Sequence, residues 1–233
     1  MLNIQHFMCN PFQENCWLVW NENGKGMLVD PGFYDEAELG ALRSFIGDHG
    51  ITLEAIFLTH GHFDHIFGVK ACQDLYGAPV YMEPADKQML VLSAEMSTRF
   101  GLNAPATGFT TTDIHDGDCI EAAGSGWTVI GTPGHTPGGV CYHCPEEGIV
   151  FTGDTLFAGS IGRSDLPMGE YDDLIRSIMD KVMGLDGSTE ILCGHGPYST
   201  ITKERTNNPF LVPFNEPVQD EIDWDADGIE LHG

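Results

Sequence analysis

Basic residues are scarce in this chain of 233 residues, which has 10 Lys and Arg against 35 Asp and Glu and a formal net charge of −25. No Lys or Arg follows Arg205. So acidic a surface repels phosphate backbones and anionic membranes, which excludes nucleic acid and membrane lipid as expected partners. An anionic substrate would need a local cation, from a metal ion or one of the few basic side chains, to enter against this field.

Long hydrophobic runs are also missing. Apolar residues make up 42% of the chain, which is ample for a sizeable core. Gly, Pro or charged residues interrupt every run, so the sequence predicts no membrane-spanning helix. Residues 1–6 have neither the basic region nor the apolar core of a signal peptide. We therefore expect a cytoplasmic protein.

The cysteines do not form the pattern of a disulfide framework. There are seven, an odd number, and they are scattered through the chain. This arrangement indicates reduced thiols. Cys141 and Cys144 have the C-x-x-C spacing of a metal or redox pair. Because no second pair accompanies them and they lie in strand-like sequence, we interpret them as buried or edge thiols.

Hydrophobic periodicity and turn residues predict alternating strands and helices. The predicted helices cover residues 35–48, about 65–76, 84–92 and 170–183, with a short one from about 200. The predicted strands cover 4–8, 16–20, 27–30, 53–58, 79–82, 118–122, 127–131, 139–143, 148–152 and 190–193. Residues 93–113 read as a loop. The pattern is a doubled α/β unit, in which two mixed sheets pack face to face with helices outside.

No linker divides the chain, so residues 1–213 are predicted to form one domain. Residues 214–233 carry seven acidic side chains and Trp224. This composition predicts an acidic tail that is extended or partly disordered.

Residues 59–65 hold three imidazoles and a carboxylate directly after the predicted strand 53–58. These are the side chains that commonly bind zinc and non-haem iron. His60 and His62 can point to one side of an extended turn, while Asp64 and His65 turn away as a helix begins. The two pairs could then face two neighbouring ions. A polar loop with chance histidines does not explain so dense a cluster.

Three further strand ends carry the same residue types, each next to a glycine: His135, Asp154 and His195. Any one of them alone would more often be structural. Together with the first cluster they make five imidazoles and two carboxylates. That set fills two metal sites, with Asp154 able to bridge them through its two oxygens.

In this order, the motifs T-H-x-H-x-D-H, P-G-H-T-P-G, T-G-D-T-L-F and G-H-G-P resemble those of the metallo-beta-lactamase superfamily. The resemblance runs from about residue 15 to 212 and is greatest to the short, single-domain proteins of its glyoxalase II (hydroxyacylglutathione hydrolase) branch. It implies an α/β fold, the αββα four-layer sandwich of two mixed sheets with helices outside. This agrees with the doubled pattern above.

The same resemblance implies two divalent metal ions as cofactors, zinc in the first place, with iron or manganese as alternatives. They would be held by seven side chains: His60, His62 and His135 on the first ion, Asp64, His65 and His195 on the second, and Asp154 bridging both. Asp30 would either orient these ligands or cap the turn before Pro31, and the sequence leaves both roles open. An aspartate at position 154 argues against the common class of β-lactamase, in which a cysteine ligand is expected there.

The implied reaction is hydrolysis of a thioester, such as S-lactoylglutathione, by a metal-bound hydroxide. Asp64 and Asp154 would be the catalytic carboxylates, with Asp64 orienting the hydroxide or passing a proton to the product. The expected partner is a small-molecule thioester, and the expected assembly is a monomer or small homo-oligomer. Arg163 is the candidate substrate contact on the thiol side, and its alternative role is a salt bridge to Asp165. Since basic residues are so few, a thiol carrier other than glutathione stays open.

Two other functions compete with the hydrolase. Persulfide dioxygenases resemble this chain through the same motifs and would use His60, His135 and Asp154 to hold a single iron with open positions. A non-catalytic metal-binding or interaction protein is the third hypothesis, and the complete set of seven ligands argues against it.

Overall fold

The computed structural model describes residues 2–214, and this range contains two six-stranded mixed sheets. The first sheet runs in chain order through β1 (Asn3–Cys9), β2 (Glu14–Trp20), β3 (Lys25–Val29), β4 (Thr52–Phe57), β5 (Val80–Met82) and β6 (Thr111–Asp113). β1, β2 and β3 are antiparallel neighbours. From β3 to β6 the strands are parallel. The carboxyl ends of β3, β4 and β5 therefore lie at one edge.

The second sheet uses the later part of the chain. Its strands are β7 (Cys119–Ala122), β8 (Ser125–Gly131), β9 (Val140–Cys144), β10 (Ile149–Gly153), β13 (Glu190–Cys193) and β14 (Ser199–Thr200). They are neighbours in that order, and only β10 and β13 pair in parallel. A separate two-stranded ribbon is formed by β11 (Leu156–Phe157) and β12 (Ser160–Ile161).

The two sheets pack against each other through aromatic rings. Phe57 of β4 stacks on Tyr142 of β9, with ring centroids 4.6 Å apart. Trp17 of β2 meets Phe151 of β10 at 6.1 Å. These rings and Trp127 are buried in one apolar cluster between the sheets. Buried aromatic rings contribute large apolar areas to the core, so this layer holds the halves together.

Helices cover the outer faces of both sheets. Their bounds are α1 (Glu36–His49), α2 (Phe63–Ile66), α3 (Val69–Tyr76), α4 (Lys87–Arg99), α5 (Tyr171–Asp180) and α6 (Ile201–Asn207), with 3-10 turns at Pro84–Asp86, Val182–Gly184 and Val212–Phe214. α1 and α3 cover the first sheet, and α5 and α6 cover the second. The predicted αββα sandwich is confirmed. Among the described residues, no helix combines the length and hydrophobicity that a membrane crossing requires.

The predicted helix 84–92 and loop 93–113 are wrong in extent. After the 3-10 turn, α4 continues to Arg99, and β6 adds a strand where a loop was expected. The second half of α4 is polar, which hides it from a hydrophobic pattern. It is nevertheless anchored, because the buried Ser93 hydroxyl donates to the carbonyl of Gly61 at 2.6 Å.

The single helix predicted over about 65–76 is two helices, because tertiary contacts replace one turn of helical hydrogen bonds. The N–H of Gly68 donates to the carbonyl of Pro31 at 2.8 Å. The carbonyl of Asp64, its normal helical partner, accepts instead from the amide of Asn10 at 2.9 Å. The helix therefore ends at Ile66 and restarts at Val69.

Two other expectations concern the cysteines and the tail. All seven cysteines are free thiols, and Cys141 and Cys144 are buried in β9, as the sequence indicated. The predicted acidic tail, 214–233, lies outside the described residues except for Phe214.

Candidate metal centre

All seven predicted ligands meet at the edge where strands of both sheets end. The segment after β4, which leads into α2, carries His60, His62, Asp64 and His65. The loop between β8 and β9 carries His135. Asp154 follows β10, and His195 follows β13. Five of these side chains are buried, while Asp154 and His195 retain some exposure. The first sheet therefore contributes one dense cluster, and the second sheet contributes three separate side chains.

The first group consists of His60, His62 and His135. One nitrogen of each lies within 4.8 Å of the others, and His62 Nδ1 is 2.8 Å from His135 Nε2. The opposite nitrogen of His135, Nδ1, donates to the carbonyl of Arg163 at 2.7 Å. A hydrogen bond of this kind fixes the tautomer and turns the other nitrogen toward the centre.

The second group consists of Asp64, His65 and His195, again within 4.8 Å. The two imidazoles approach through their Nε2 atoms at 3.3 Å, and Asp64 Oδ2 lies 3.4 Å from His195 Nε2. His195 Nδ1 donates to the carbonyl of Phe12 at 3.2 Å. His135 and His195, one in each group, thus have their outward nitrogens held by backbone carbonyl oxygens.

Asp30 lies directly behind the centre. Its Oδ2 accepts from His65 Nδ1 at 3.0 Å, and its Oδ1 accepts from the N–H of Thr59 at 2.7 Å. Asp30 is also within 4.8 Å of His60 and His65 as a possible third ligand set. Because both of its oxygens already accept hydrogen bonds, it is placed to orient His65 rather than to hold an ion.

Asp154 lies between the two groups. Its Oδ2 is 3.6 Å from His135 Nε2 and 3.6 Å from His195 Nε2, and its Oδ1 is 3.3 Å from His65 Nε2. One carboxylate therefore reaches imidazoles of both groups. That is the placement expected of a bridging side chain, and its role as a metal ligand stays a prediction.

The residues present fit divalent cations. Among the described residues, three buried atoms at the centre have no hydrogen-bond partner: His60 Nε2, His62 Nε2 and Asp154 Oδ1. Burying such polar atoms unpaired costs about 1–3 kcal/mol each, and a cation would satisfy acceptors of this kind. Imidazole and carboxylate together suit zinc, iron and manganese.

Burial and neighbouring charges shift the pKa values of the two groups in opposite directions. Burial lowers the pKa of His62 to about 3, with His135 adding to the effect, and burial with His65 lowers that of His60 well below its usual value. Burial also disfavours charge on His65 and His195, but the carboxylates beside them, Asp154 and Asp64 for both and Asp30 for His65, together outweigh burial and raise both pKa values. His60 and His62 are therefore neutral, whereas His65 and His195 tend to hold protons.

Asp86 is a supporting residue that sequence analysis missed. It is fully buried, and its carboxylate accepts from the N–H of Gly61 at 2.8 Å, the hydroxyl of Thr136 at 2.8 Å and the N–H of Gly138 at 2.6 Å. These donors belong to the His60–His62 segment and to the His135 loop. One carboxylate therefore ties together the two segments that form the first group. In sequence it resembles an ordinary acidic residue at a helix start.

We expect Asp86→Asn to weaken binding at the first group about 10- to 100-fold, the range seen for residues that orient metal ligands. The side-chain NH₂ of an asparagine would face one of the donors that Asp86 now accepts from, and that donor would be left unpaired. Competition against a chromophoric chelator measures the affinity. Asp74→Asn is the matched control, since Asp74 is exposed and pairs only with Lys70. Equal affinities in the two variants would contradict the role given to Asp86.

β2 supports the second group in two ways. Asn15 donates through its side-chain amide to the carbonyls of Cys193 at 3.0 Å and Gly196 at 2.9 Å, which fixes the His195 loop. Glu14 is fully buried, with Oε1 3.9 Å from His65 Nδ1. Burial raises its pKa well above the usual value, which favours the uncharged carboxyl behind the centre. The sequence around them, in a strand, gave no sign of either contact.

Gly194 gives the centre its close packing. A Cβ at this position would lie 2.6 Å from Cε1 of His65 and would overlap Oδ1 of Asp154. We expect Gly194→Ala to displace both side chains, at a cost of about 1–3 kcal/mol in stability, and to lower the metal content per chain. Elemental analysis and thermal unfolding measure the two effects. Gly184→Ala, where nothing lies within 4 Å of the added Cβ, should match the parent protein; a Gly194→Ala variant that also matches it would refute this packing.

A cavity of about 300 Å³ opens onto the centre. Among its lining residues are the two partly exposed ligands Asp154 and His195, together with Asp64 and Arg163. Arg163 makes two hydrogen bonds to Asp165, at 2.9 and 2.8 Å. The salt bridge given as its alternative role is therefore present, and its guanidinium lies mostly in solvent.

Comparisons with known proteins give one consistent family. The sequence profile of the metallo-beta-lactamase superfamily matches residues 9–195. A relative from Haemophilus influenzae named hydroxyacylglutathione hydrolase GloC is 35% identical over 212 residues, which is 90% of this chain and 98% of that protein. The solved structure of BLEG-1, described as a B3 metallo-beta-lactamase, is 32% identical with a TM-score of 0.81, covering 90% of this chain and 99% of that one. TTHA1623 in a di-iron-bound form is 35% identical with a TM-score of 0.79, covering 89% and 100%.

Proposed function

From the premise that this chain belongs to the metallo-beta-lactamase superfamily, we propose that it is a metal-dependent thioester hydrolase of the hydroxyacylglutathione hydrolase type. The observation that carries the proposal is the pair of ligand groups that share Asp154. The similarity to GloC over nearly the whole of both chains supports the thioester as substrate class. S-lactoylglutathione is the first candidate, on this similarity.

In this proposal His60, His62 and His135 hold one ion, Asp64, His65 and His195 hold the other, and Asp154 bridges. Zinc is the first choice of metal, and iron is the alternative because TTHA1623 has been solved in a di-iron-bound form. When bound, such a pair of ions lowers the pKa of a water between them toward neutrality and polarises a carbonyl oxygen.

The chain's own residues then orient the reactants. Asp64 has a lowered pKa, because burial, which raises the pKa, is outweighed by the hydrogen bond with His195 together with the positive charges of His65 and His195. It is therefore ionised at neutral pH, and its carboxylate can accept a hydrogen bond from the attacking water and hold it in line with the carbonyl. A thiol has a pKa of about 8.5, so the thiolate leaves without a separate acid. No nucleophilic side chain is required.

The proposal extends to the setting of the enzyme. Its substrate is a small-molecule thioester, and neither nucleic acid nor membrane binds to so acidic a surface. The seven free thiols support a reducing, cytoplasmic location. A monomer or small homo-oligomer is the proposed assembly.

The test combines metal analysis with turnover. Protein purified without chelator should contain about two metal equivalents per chain and should hydrolyse S-lactoylglutathione, whereas His60→Ala should lose metal and turnover together. A β-lactam serves as a comparison substrate because BLEG-1 is among the matches. If the protein instead contains one equivalent of iron and consumes oxygen when a persulfide is added, the proposed function becomes that of a persulfide dioxygenase. Turnover of the β-lactam alone would move the proposal to lactam hydrolysis.

A further inference from the structure

Three phenylalanines form an apolar wall beside the metal centre, which we call the aromatic wall: Phe12, Phe63 and Phe100. Their rings meet in pairs, with centroids 5.1, 5.2 and 5.8 Å apart. Phe63 lies between two predicted ligands in sequence, and Phe100 ends α4 with 59% of its surface exposed. All three line the cavity. They do not belong to the three core clusters of the described residues.

The rest of the cavity lining is also apolar, apart from the predicted ligands. Met96, Phe157 and Leu166 complete it. Arg163 is the cation that lines the cavity within residues 2–214, and its guanidinium already binds Asp165. Because the chain carries a net charge of −25, an anionic acyl group that lies against the aromatic wall, away from the metal ions, would meet repulsion.

The size of the cavity decides which part of a thioester lies inside. About 300 Å³ is at the small end of ligand pockets, so a large thiol carrier cannot be enclosed together with its acyl group. The acyl chain and the sulfur of the carrier are both bonded to the carbonyl carbon that must reach the centre. Because the acyl chain is the smaller of the two substituents, it is the one that fits inside the cavity, against residues next to the ligands such as Phe63. The carrier can extend into solvent.

We propose that the aromatic wall binds the acyl group, so that the preferred substrates are thioesters of uncharged, apolar acyl groups such as hexanoyl or phenylacetyl. This inference rests on the proposed thioester hydrolysis and adds its substrate class. In the reaction, the oxygen of water bonds to the carbonyl carbon and the C–S bond breaks with its electrons on sulfur. The products are the carboxylate, the thiol and one proton released to solvent. No oxidant or further reactant is needed.

The experiment varies the acyl group on one carrier, so that the effect of the carrier's charge on kcat/KM is the same for every substrate. We compare kcat/KM of the metal-loaded protein for lactoyl, acetyl, butanoyl, hexanoyl and phenylacetyl thioesters of glutathione. Burial of each methylene should raise kcat/KM about two- to fourfold, which places hexanoyl at least about tenfold above acetyl. Lactoyl, with its hydroxyl, should fall near acetyl.

Phe100→Ser should remove most of the roughly tenfold preference in kcat/KM for the hexanoyl over the acetyl thioester. Val91→Ser is the matched control, because Val91 lies on the same helix, is 76% exposed and does not line the cavity. Thermal unfolding shows that each variant is folded. Equal rates for lactoyl, acetyl and hexanoyl thioesters, or a uniform loss in Phe100→Ser, would overturn the acyl-binding role and leave the hydrolase intact.

A binding measurement separates this inference from the proposed function. The ketone analogue of the hexanoyl thioester, with CH₂ in place of sulfur, cannot be hydrolysed. Calorimetry should show that it binds the metal-loaded parent about tenfold more tightly than the acetyl analogue does, with the difference lost in Phe100→Ser. If that pattern holds while no thioester is hydrolysed, the proposed reaction fails and the apolar subsite stands. Equal affinity of both analogues overturns the subsite.

Discussion

Replacing Asp154 with alanine should remove metal from both ligand groups and reduce thioester hydrolysis by more than about 100-fold, beyond the range expected for a residue that only orients a ligand. The reason is its position, because its two oxygens lie 3.3 to 3.6 Å from imidazole nitrogens of both groups. Asp30 also lies within 4.8 Å of His60 and His65, but both of its oxygens already accept hydrogen bonds. Metal per chain and kcat/KM are measured on the same preparation.

Asp172→Ala controls for loss of an acidic residue, since Asp172 is exposed in the first turn of α5 and does not line the cavity. It should keep both ions and full turnover. The outcome that contradicts this prediction is an Asp154→Ala protein that still binds one ion tightly. That result would show that one group holds its ion without the bridge, and it would contradict a shared carboxylate.

Acid should release the two ions in a fixed order, with the ion held by Asp64, His65 and His195 leaving first. In the metal-free protein, the pKa of His62 is lowered to about 3 and that of His60 is lowered too, chiefly by burial. Those imidazoles take up an ion without losing a proton. The pKa values of His65 and His195 are raised, because Asp154 and the other carboxylates beside them together outweigh the effect of burial. An ion in the second group must displace these protons.

The direction of the pH effect on metal affinity follows from this difference in pKa values. As the pH falls through the raised pKa values, protons compete for the second group, and its affinity should drop about tenfold per pH unit for each proton displaced. The first group should lose less affinity over the same interval, because His60 and His62 are already unprotonated. Titration with a competing chelator at several pH values between about 8 and 5.5 measures both constants. In His195→Ala the pH-dependent ion should be missing. If the affinities for the two ions changed equally with pH, the predicted order of release would be refuted.

Much of the fold is visible in the sequence because its cause is local. Strand β4 is an apolar run that ends at the histidine cluster, and α1 begins at Asp35, whose side chain accepts from two backbone N–H groups, and ends at Gly50 in a left-handed conformation. Such signals depend on neighbours within a few residues. The seven candidate ligands were found for a similar reason, since each is a conspicuous polar residue at the end of an apolar strand.

The features that sequence analysis missed depend on distant partners. The second half of α4 is held by Ser93 bonding to Gly61, a residue 32 positions earlier. The break between α2 and α3 depends on a carbonyl at Pro31. Asp86 is distinguished from an exposed helix-start acid only by donors 25 to 52 positions away in the chain. Patterns along the chain do not record such pairings, because the partner is set by how the sheets pack.

The division of the seven ligands between two sheets has a thermodynamic consequence. One sheet supplies the segment 60–65 and the other supplies His135, Asp154 and His195, so an ion bound by both is a crosslink that forms only in the assembled fold. Binding to the folded state alone adds about 2.7 kcal/mol at a free metal concentration one hundred times Kd. The temperature of unfolding would then rise with the supply of divalent metal. In a metal-starved cell the chain would lose conformational stability, and with it resistance to proteolysis, together with its activity.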